Sequence, residues 1–417
     1  MRETPLHVRS IRTLRRNNPF RVLAEHRNFR IFWIGQTLSL IGTWMQVMGE
    51  GWLALELTNN AFLVTLVSAV GALPVLALSM QAGVVADRVD KLKLVRAMQA
   101  LMLIEAITLW AVTISGHVNI HWLLGLAALS GIFSAFEIPA RQAMMIELVG
   151  REDLAGAIAL NSSGFNLARI VGPAIGAVVI ATAGIAWCFA LNAVSYLAVV
   201  IGLYMIHLAP HVERARRAGG GEMRAGIRYM LSTPEVRILM IIVTVVSVFG
   251  APYIALMPVI ARDRLGTGAG GYGSLLTAIG IGGLTGALFL AAVGSRVKRG
   301  RLLAWSTVVF GAMLIALAMT RAFHVAWAIL LIAGCAMILN GALCNALLQA
   351  LVPDEFRGRL MAAYSLVVVG LSQVAGNFVA GAVARAAGPQ YAVAGGALII
   401  LAVVAWSFSS HRELMRL

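Results

Sequence analysis

Long apolar runs alternate along this chain with short polar stretches. Residues 62–85 carry no charged side chain, and residues 97–115 carry only Glu105. Twelve apolar runs can be traced, at about 31–55, 62–85, 95–115, 121–140, 155–182, 186–207, 237–260, 272–293, 302–320, 325–350, 360–384 and 391–409. A spanning helix needs roughly 20 apolar residues, whereas a membrane β-strand needs only about 10 alternating ones. The pattern therefore predicts an all-α membrane protein with twelve transmembrane helices.

The composition supports lipid as the solvent of these helices. Of the 417 residues, 60% are hydrophobic and 12% are charged, against about 45–50% and about 25% in soluble domains. The three cysteines lie inside apolar runs without the spacing of a metal site, so we expect no metal.

Basic residues are concentrated on one face of the predicted membrane protein. Of the 33 Lys and Arg residues, 28 fall on the face that holds both termini and four on the other. The positive-inside rule makes the basic face cytoplasmic. This placement explains the net charge of +15 without a nucleic-acid partner, and it leaves the lipid bilayer and a small-molecule substrate as the expected partners.

The chain divides into two halves of six helices. We expect an N-terminal segment, a first half, a linker with an amphipathic helix, a second half and a tail, at 1–30, 31–207, 208–236, 237–409 and 410–417. The stretch LVGREDLAGAIALNS after the fourth run is similar to LVPDEFRGRLMAAYS after the tenth. A parallel repeat of six spans is the plan of the major facilitator fold, whose substrate site lies between the halves.

The stretch GVVADRVDKLK, after the second run, resembles the major facilitator signature G-x-x-x-D-R-x-x-[RK]-x-[RK]. Its five positions are met by Gly83, Asp87, Arg88, Lys91 and Lys93. Asp90 stands where the family usually has a small residue before the first of the two basic positions, which is a departure from the motif. The resemblance implies a cytoplasmic gate that latches the halves together when the transporter faces outward.

In such a gate Gly83 lets two helices approach, and Asp87 meets a helix end near 358–359. Lys91 pairs with an acid at the end of the fourth span, here Glu137, which lies one turn before Arg141. The alternative is that this stretch is an ordinary basic cytoplasmic loop without a gating role.

Two further stretches are similar to one branch of that family, the bacterial exporters that include enterobactin exporter-like and macrolide efflux proteins. In FEIPARQAMM, Pro139 is expected to end the fourth span. RIVGPAIGAVV carries an element associated with antiporters, Gly172, Pro173 and Gly176. The resemblance implies a transporter of the bacterial inner membrane that exports its substrate.

Three charged residues fall inside predicted spans, where a charge costs about 2.5–3.5 kcal/mol on insertion scales. Glu105 and Arg169 lie near mid-span and Glu50 in the outer third of the first span. A carboxyl group that gains and loses a proton would serve proton coupling. Glu50 is the first candidate, because the first span lines the central cavity in this fold, whereas the third span of Glu105 is more peripheral. The alternative is that Glu50 is a structural partner of Arg169 or an outer-gate residue.

Uncharged polar side chains within the spans could contact an amphipathic solute, although each could equally serve helix packing. The candidates are Gln46, Asn161, Asn166, Asn340, Asn345, Tyr364, Gln373 and Asn377.

The sequence lacks the motifs expected of the two other classes of protein that we considered, enzymes and channels. The histidines lie in tails or near span ends, no HExxH motif occurs, and no lysine stands in a phosphate-binding loop, so we expect no enzyme. A channel would need rings of charge or an oligomeric filter. The sequence thus favours a monomeric, proton-driven secondary exporter without a cofactor, and an importer of the same fold stays open.

Overall fold

The computed structural model describes residues 20–208, 228–293 and 297–411, apart from the side chains of Asp354 and Val369. Helices account for nearly all of this part of the chain. A short helix α1 (Phe20–Glu25) precedes the first half, which is α2 (Arg27–Thr58), α3 (Ala61–Arg88), α4 (Lys91–Ile114), α5 (Ile120–Val149), α6 (Leu154–Thr182) and α7 (Ala186–Tyr204). The second half is α8 (Pro234–Arg264), α9 (Ala269–Val293), α10 (Arg299–Met319), α11 (Phe323–Leu351), α12 (Asp354–Ala387) and α13 (Pro389–Ser410).

The predicted twelve spans are confirmed as twelve long helices, α2 to α13. Eleven of them are long and apolar enough to cross a membrane among the described residues. The remaining helix, α2, has 32 residues but is less apolar, since it carries buried polar side chains such as Gln36 and Gln46. Most of the predicted linker, residues 209–227, lies outside the described residues, and the part of its predicted helix that is described is helical over 228–232.

The prediction that Pro139 ends the fourth span is wrong. Helix α5 continues through Pro139 to Val149. Proline removes one backbone hydrogen bond, but neighbouring helices and local backbone adjustments make this tolerable in a membrane span. The end of α5 therefore lies about ten residues further along the chain than predicted. Different side chains consequently stand in its last turn.

The two halves repeat the same close helix pairs. In the first half α3 packs along α5, and in the second half α9 packs along α11. Both pairs depend on glycine: a Cβ at Gly131 would overlap the carbonyl of Gly71, and a Cβ at Gly282 would overlap that of Leu331. Small residues at these positions let the backbones approach closely. Such contacts are common in membranes, because helices in lipid associate through van der Waals packing and not through the hydrophobic effect.

Two helices of the second half are irregular. Helix α8 changes from α to π geometry at Val246–Gly250, and α12 is π-helical over Leu366–Gly376. π-helical turns occur mostly at functional sites. Both irregular segments pack against each other near the middle of the bundle.

The close packing of α9 on α11 predicts a sharp response to Gly282→Ala. The added methyl group would overlap the rigid backbone of Leu331, so we expect the free energy of unfolding to fall by about 1–3 kcal/mol. Thermal unfolding of the detergent-solubilised protein measures it. Gly395→Ala is the control, because nothing lies within 4 Å of the position of its Cβ, and it should leave stability equal or slightly higher. Equal melting of both variants would contradict the packing.

Candidate functional site

The two halves meet at one end of the bundle. We call the end where α3 stops at Arg88 the basic face and the end where α2 stops at Thr58 the opposite face. At the opposite face Trp52 of α2 stacks on Tyr272 of α9, with ring centroids 5.9 Å apart. Nearby, Phe62 of α3 meets Phe378 of α12 edge to face at 5.2 Å. These four rings form an aromatic seal between the halves.

Glycines bring α6 and α9 together across the interface between the halves. A Cβ at Gly273 would lie 2.7 Å from the carbonyl oxygen of Pro173, and one at Gly280 would lie 3.2 Å from Cα of Ile170. The glycines that the sequence singled out on α6 face α2 instead. A Cβ at Gly172 would lie 2.7 Å from the carbonyl oxygen of Ile41. A Cβ at Gly176 would lie 3.1 Å from Met45 Cγ and 3.1 Å from Met48 Sδ, both on α2.

The halves are apart at the basic face. Nothing lies within 4 Å of the Cβ position at Gly83 in α3 or at Gly358 in α12. Asp87 and Arg88 are exposed, and Asp87 forms no ion pair with any described residue. The predicted close approach at Gly83 and the contact of Asp87 with 358–359 are therefore absent in this conformation, because the helix ends that would form them are separated.

The predicted pairing of Lys91 with Glu137 is also corrected. The Lys91 Nζ lies 2.8 Å from Glu147 Oε1, and the lysine is buried. Glu137 Oε1 instead accepts a hydrogen bond from Arg141 Nε at 2.8 Å and one from Gln99 at 3.3 Å. Because α5 runs on past Pro139, the acid level with Lys91 is in its last turn rather than ten residues earlier.

Asp90, the departure from the family motif, has a structural role. Its side chain accepts a hydrogen bond from the backbone N–H of Lys93 at 3.0 Å and so caps the start of α4. An N-cap of this type contributes about 1 kcal/mol to helix stability. The residue that breaks the pattern thus holds Lys91 at the first position of its helix.

A buried polar network joins α2, α4 and α7 inside the first half. Gln46 Nε2 donates to Glu50 Oε1 at 2.8 Å and to Glu105 Oε1 at 3.2 Å. Gln46 Oε1 accepts from Asn192 Nδ2 at 2.6 Å, which fixes the orientation of the amide. Two carboxyl groups therefore share one amide nitrogen. Glu105 is 3% exposed and so lies inside the first half, while the position of its span relative to the central cavity stays a prediction.

Arg169 lies away from this network. Its Nε and Nη2 atoms are buried and have no hydrogen-bond partner among the described residues. The alternative in which Glu50 pairs with Arg169 is therefore not seen, since Glu50 is held by Gln46.

Several of the predicted cavity residues are engaged within one half. Asn340 is buried and donates to Thr307 at 2.6 Å, and Tyr364 donates to the carbonyl of Gly341 at 3.0 Å. The amide groups of three others bond to neighbours on their own helix: Asn166 to the Ser162 carbonyl, Asn345 to Gln349, and Asn377 to Gln373. Asn161 is half-buried and Gln373 is exposed. The predicted set therefore mixes packing contacts with side chains that are open to the space around the bundle.

Sequence reasoning missed the aromatic seal and Asn192. Trp52 and Tyr272 stand in apolar runs where aromatic residues are ordinary, so neither had a distinguishing signal. Asn192 is fully buried in α7, and its position as the only amide in that apolar run could have marked it as a partner for another intramembrane polar group.

A second polar cluster ties α1 to the loop before α6 at the basic face. The His26 ring nitrogen Nε2 lies 2.8 Å from Asp153 Oδ2, and Arg21 Nε lies 2.7 Å from Glu25 Oε1. The donor atoms of Glu25, His26 and Asp153 could approach one metal ion. Arg21 already engages Glu25 and approaches Asp153 within 3.9 Å, so the cluster is accounted for as an ion-pair network.

The chain matches known proteins over nearly its whole length. The model of the family described as transmembrane secretion effector matches residues 18–415. The chain is 26% identical over 287 residues to the staphyloferrin A transporter of Staphylococcus aureus, covering 69% of this chain and 72% of the relative. It is 25% identical over 385 residues to the multidrug efflux pump Tap of Mycolicibacterium fortuitum, covering 89% and 93%.

Solved structures share the fold. A bacterial homologue of the human lysosomal transporter Spinster, in an inward-facing and unoccupied conformation, superposes with a TM-score of 0.68 at 14% identity, covering 93% of this chain and 96% of that one. With two repeated six-helix halves and a family match across both, the chain belongs to the transmembrane secretion effector family of major facilitator transporters, and it is a multi-pass membrane transporter rather than an enzyme.

Proposed function

We propose that this transporter is a proton-coupled exporter of small amphipathic molecules, such as a drug or a siderophore-type metabolite, in a bacterial inner membrane. The observation that carries the proposal is the uneven contact between the halves. An aromatic seal closes the opposite face, while Gly83 and Gly358 face open space at the basic face. Alternating access requires a conformation that is closed at one face and open at the other.

The basic face is cytoplasmic in this proposal, because 28 of the 33 basic residues lie there. Both termini are then cytoplasmic, and the described conformation receives substrate from the cytoplasm. Export is supported by the family description and by the efflux pump among the relatives. The transporter would act as a monomer and would use the proton gradient instead of a bound cofactor.

In the other half of the cycle the opposite face opens and the basic face closes. Asp87 and Arg88 are exposed here and are free to meet the start of α12, whose helix dipole favours a carboxylate. Surface ion pairs contribute about 0–1 kcal/mol each, which suits a latch that must reopen at every cycle. Lys91 and Glu147 already form one pair at the same face.

Metabolite profiling of cells and culture medium, with the gene present, deleted or carrying Asp87→Asn, tests the proposal. We expect a compound that accumulates inside and disappears outside on deletion, under iron-replete or iron-starved growth. Asp87→Asn should cut its export by up to about fivefold with the protein still inserted, because a contact of about 0–1 kcal/mol that stabilises the outward-open state is lost. Glu152→Gln is the control, since this acid is also exposed at the basic face and forms no ion pair with any described residue.

Three outcomes would count against parts of the proposal. Accumulation outside the cell on deletion would indicate import. Full export by Asp87→Asn would remove the latch assignment while leaving the transport direction intact. An unchanged metabolite profile in both growth conditions, together with unchanged tolerance to added drugs, would contradict export itself.

A further inference from the structure

Arg169 is a partly buried cation, and two of its three side-chain nitrogens lack an acceptor among the described residues. It lies in α6, and its Nε and Nη2 atoms find no hydrogen-bond partner among the described residues. A buried polar group without a partner costs free energy, and more so when it carries a charge. Since the intramembrane acids Glu50 and Glu105 are held by Gln46, the guanidinium is available to a group from outside the described chain.

The guanidinium reaches across the interface between the halves. A Cβ at Gly283 in α9 would overlap Arg169 Nη2 and would lie 3.5 Å from Arg169 Cζ. One turn earlier, a Cβ at Gly280 would lie 3.3 Å from the backbone oxygen of Arg169. Gly280 and Gly283 therefore leave a notch in the second half, and the side chain of Arg169 from the first half occupies it.

A second donor without an acceptor comes from the other half. The hydroxyl of Tyr253 in α8 is buried and has no hydrogen-bond partner among the described residues. It lies within electrostatic range of Arg169. Its ring is 1% exposed and is fixed edge to face against Phe310, with centroids 6.0 Å apart. Two hydrogen-bond donors, one from each half, thus lie within electrostatic range of each other, and neither has an acceptor among the described residues.

We propose that Arg169 and Tyr253 bind an anionic oxygen-bearing group of the substrate, for which a carboxylate is the simplest example. A guanidinium presents two parallel N–H donors that match the two oxygens of a carboxylate, and a phenol hydroxyl adds a third hydrogen bond. The proposal rests on the proposed transport function and narrows its substrate class to amphipathic anions. A ligand bound in this way would contact both halves at once, as a substrate between them must.

Thermal unfolding of the purified protein at pH 7.5 tests the site with matched probes. The probes are three aromatic carboxylates (benzoate, salicylate and 2-naphthoate) and the corresponding three neutral amides. We expect at least one acid to raise the melting temperature in a saturable way while its amide does not. Arg169→Gln should abolish this response, Arg169→Lys should weaken binding at least about tenfold, and Tyr253→Phe should weaken it several-fold.

A merely structural role for Arg169 predicts different results. If the side chain is a binding group, Arg169→Gln should melt at the same temperature as the parent or higher without probe, because an unpaired buried charge is removed. If it stabilises the fold, the variant should melt lower. Any one of four results would overturn the site. Two concern the variants: a lower melting temperature of Arg169→Gln without probe, or an acid response kept in both Arg169→Gln and Tyr253→Phe. The other two concern the parent protein: equal responses to acids and amides, or no response to any of the three acids.

The transport proposal fails separately from this site. Acid-specific binding that depends on Arg169, in a protein that moves no compound across the membrane, would uphold the site and contradict export. Export of an uncharged compound at the parental rate by Arg169→Gln would uphold export and contradict the anion site.

Discussion

Cross-linking the two halves at the opposite face should stop transport completely and reversibly. Thr65 in α3 and Gly381 in α12 lie on different halves, and a Cβ at position 381 would lie 3.2 Å from Thr65 Cβ. Disulfides join Cβ atoms about 3.5–4.5 Å apart, so a small adjustment lets Thr65→Cys and Gly381→Cys form a bond. Because the opposite face must open for release, this bond should hold the transporter in the conformation described here.

The measurement is export by cells or vesicles before oxidation, after oxidation and after reduction, in a background with the three native cysteines replaced by alanine. We expect transport to be lost after oxidation and to return with reductant. The matched control is a disulfide within the first half: Gly49→Cys with native Cys188 retained, where the two Cβ atoms would lie 3.6 Å apart. That bond joins α2 to α7, which move together, so transport should stay within about twofold of the reduced protein.

The cross-link can also contradict the mechanism. If mass spectrometry shows full oxidation of the pair 65–381 and export continues at the parental rate, the opposite face does not need to open at these positions. Loss of export with the control disulfide alone would instead show that movement within the first half is part of the cycle.

The helices and their grouping were predictable because each span is dictated by local composition. A run such as 62–85 has no charge and is long enough to cross lipid, and α3 duly covers it. The similarity between 148–162 and 351–365 placed the repeat, since both stretches lead from the fourth span of their half into the fifth. These features depend on neighbours in the sequence and need no knowledge of tertiary contacts.

The candidate site was less predictable because its contacts join residues far apart in the chain. Glu50 and Glu105 were both visible as intramembrane acids, but only the rotation of α4 against α2 brings them to the same amide of Gln46. Lys91 was assigned the wrong acid because Pro139 suggested a helix end that the fold does not have. The sequence listed the charged side chains correctly, and the packing of helices decided their partners.

Replacing the two shared carboxyl groups should separate transport from the proton gradient. Glu50 and Glu105 are bonded to the same nitrogen of Gln46, which places their bonded oxygens within about 6 Å, a range over which two negative charges oppose each other. In a site shielded from water this repulsion is strong. We propose that the pair takes up a proton while the opposite face is open and releases it to the cytoplasm before the loaded transporter opens outward again, so that a proton enters as substrate leaves.

Glutamine at position 50 or 105 keeps the size and one acceptor oxygen of the side chain but cannot exchange a proton. For each variant we expect transport driven by a pH gradient to fall at least about tenfold. Exchange of labelled for unlabelled substrate at equal pH should stay within about threefold, because it needs the alternating movement but no net proton flux. Vesicles assayed with and without a pH gradient measure both quantities, and Glu235→Gln in the first turn of α8 is the control.

The two single variants distinguish the roles within the pair. If only one carboxyl group carries the proton, the other variant should keep its dependence on the pH gradient, and its glutamate acts through the hydrogen bond to Gln46 alone. If both variants transport against a gradient as the parent does, neither glutamate couples transport to protons. The coupling ion would then have to bind elsewhere, and Arg169 could not replace them, because a guanidinium remains charged throughout the physiological pH range.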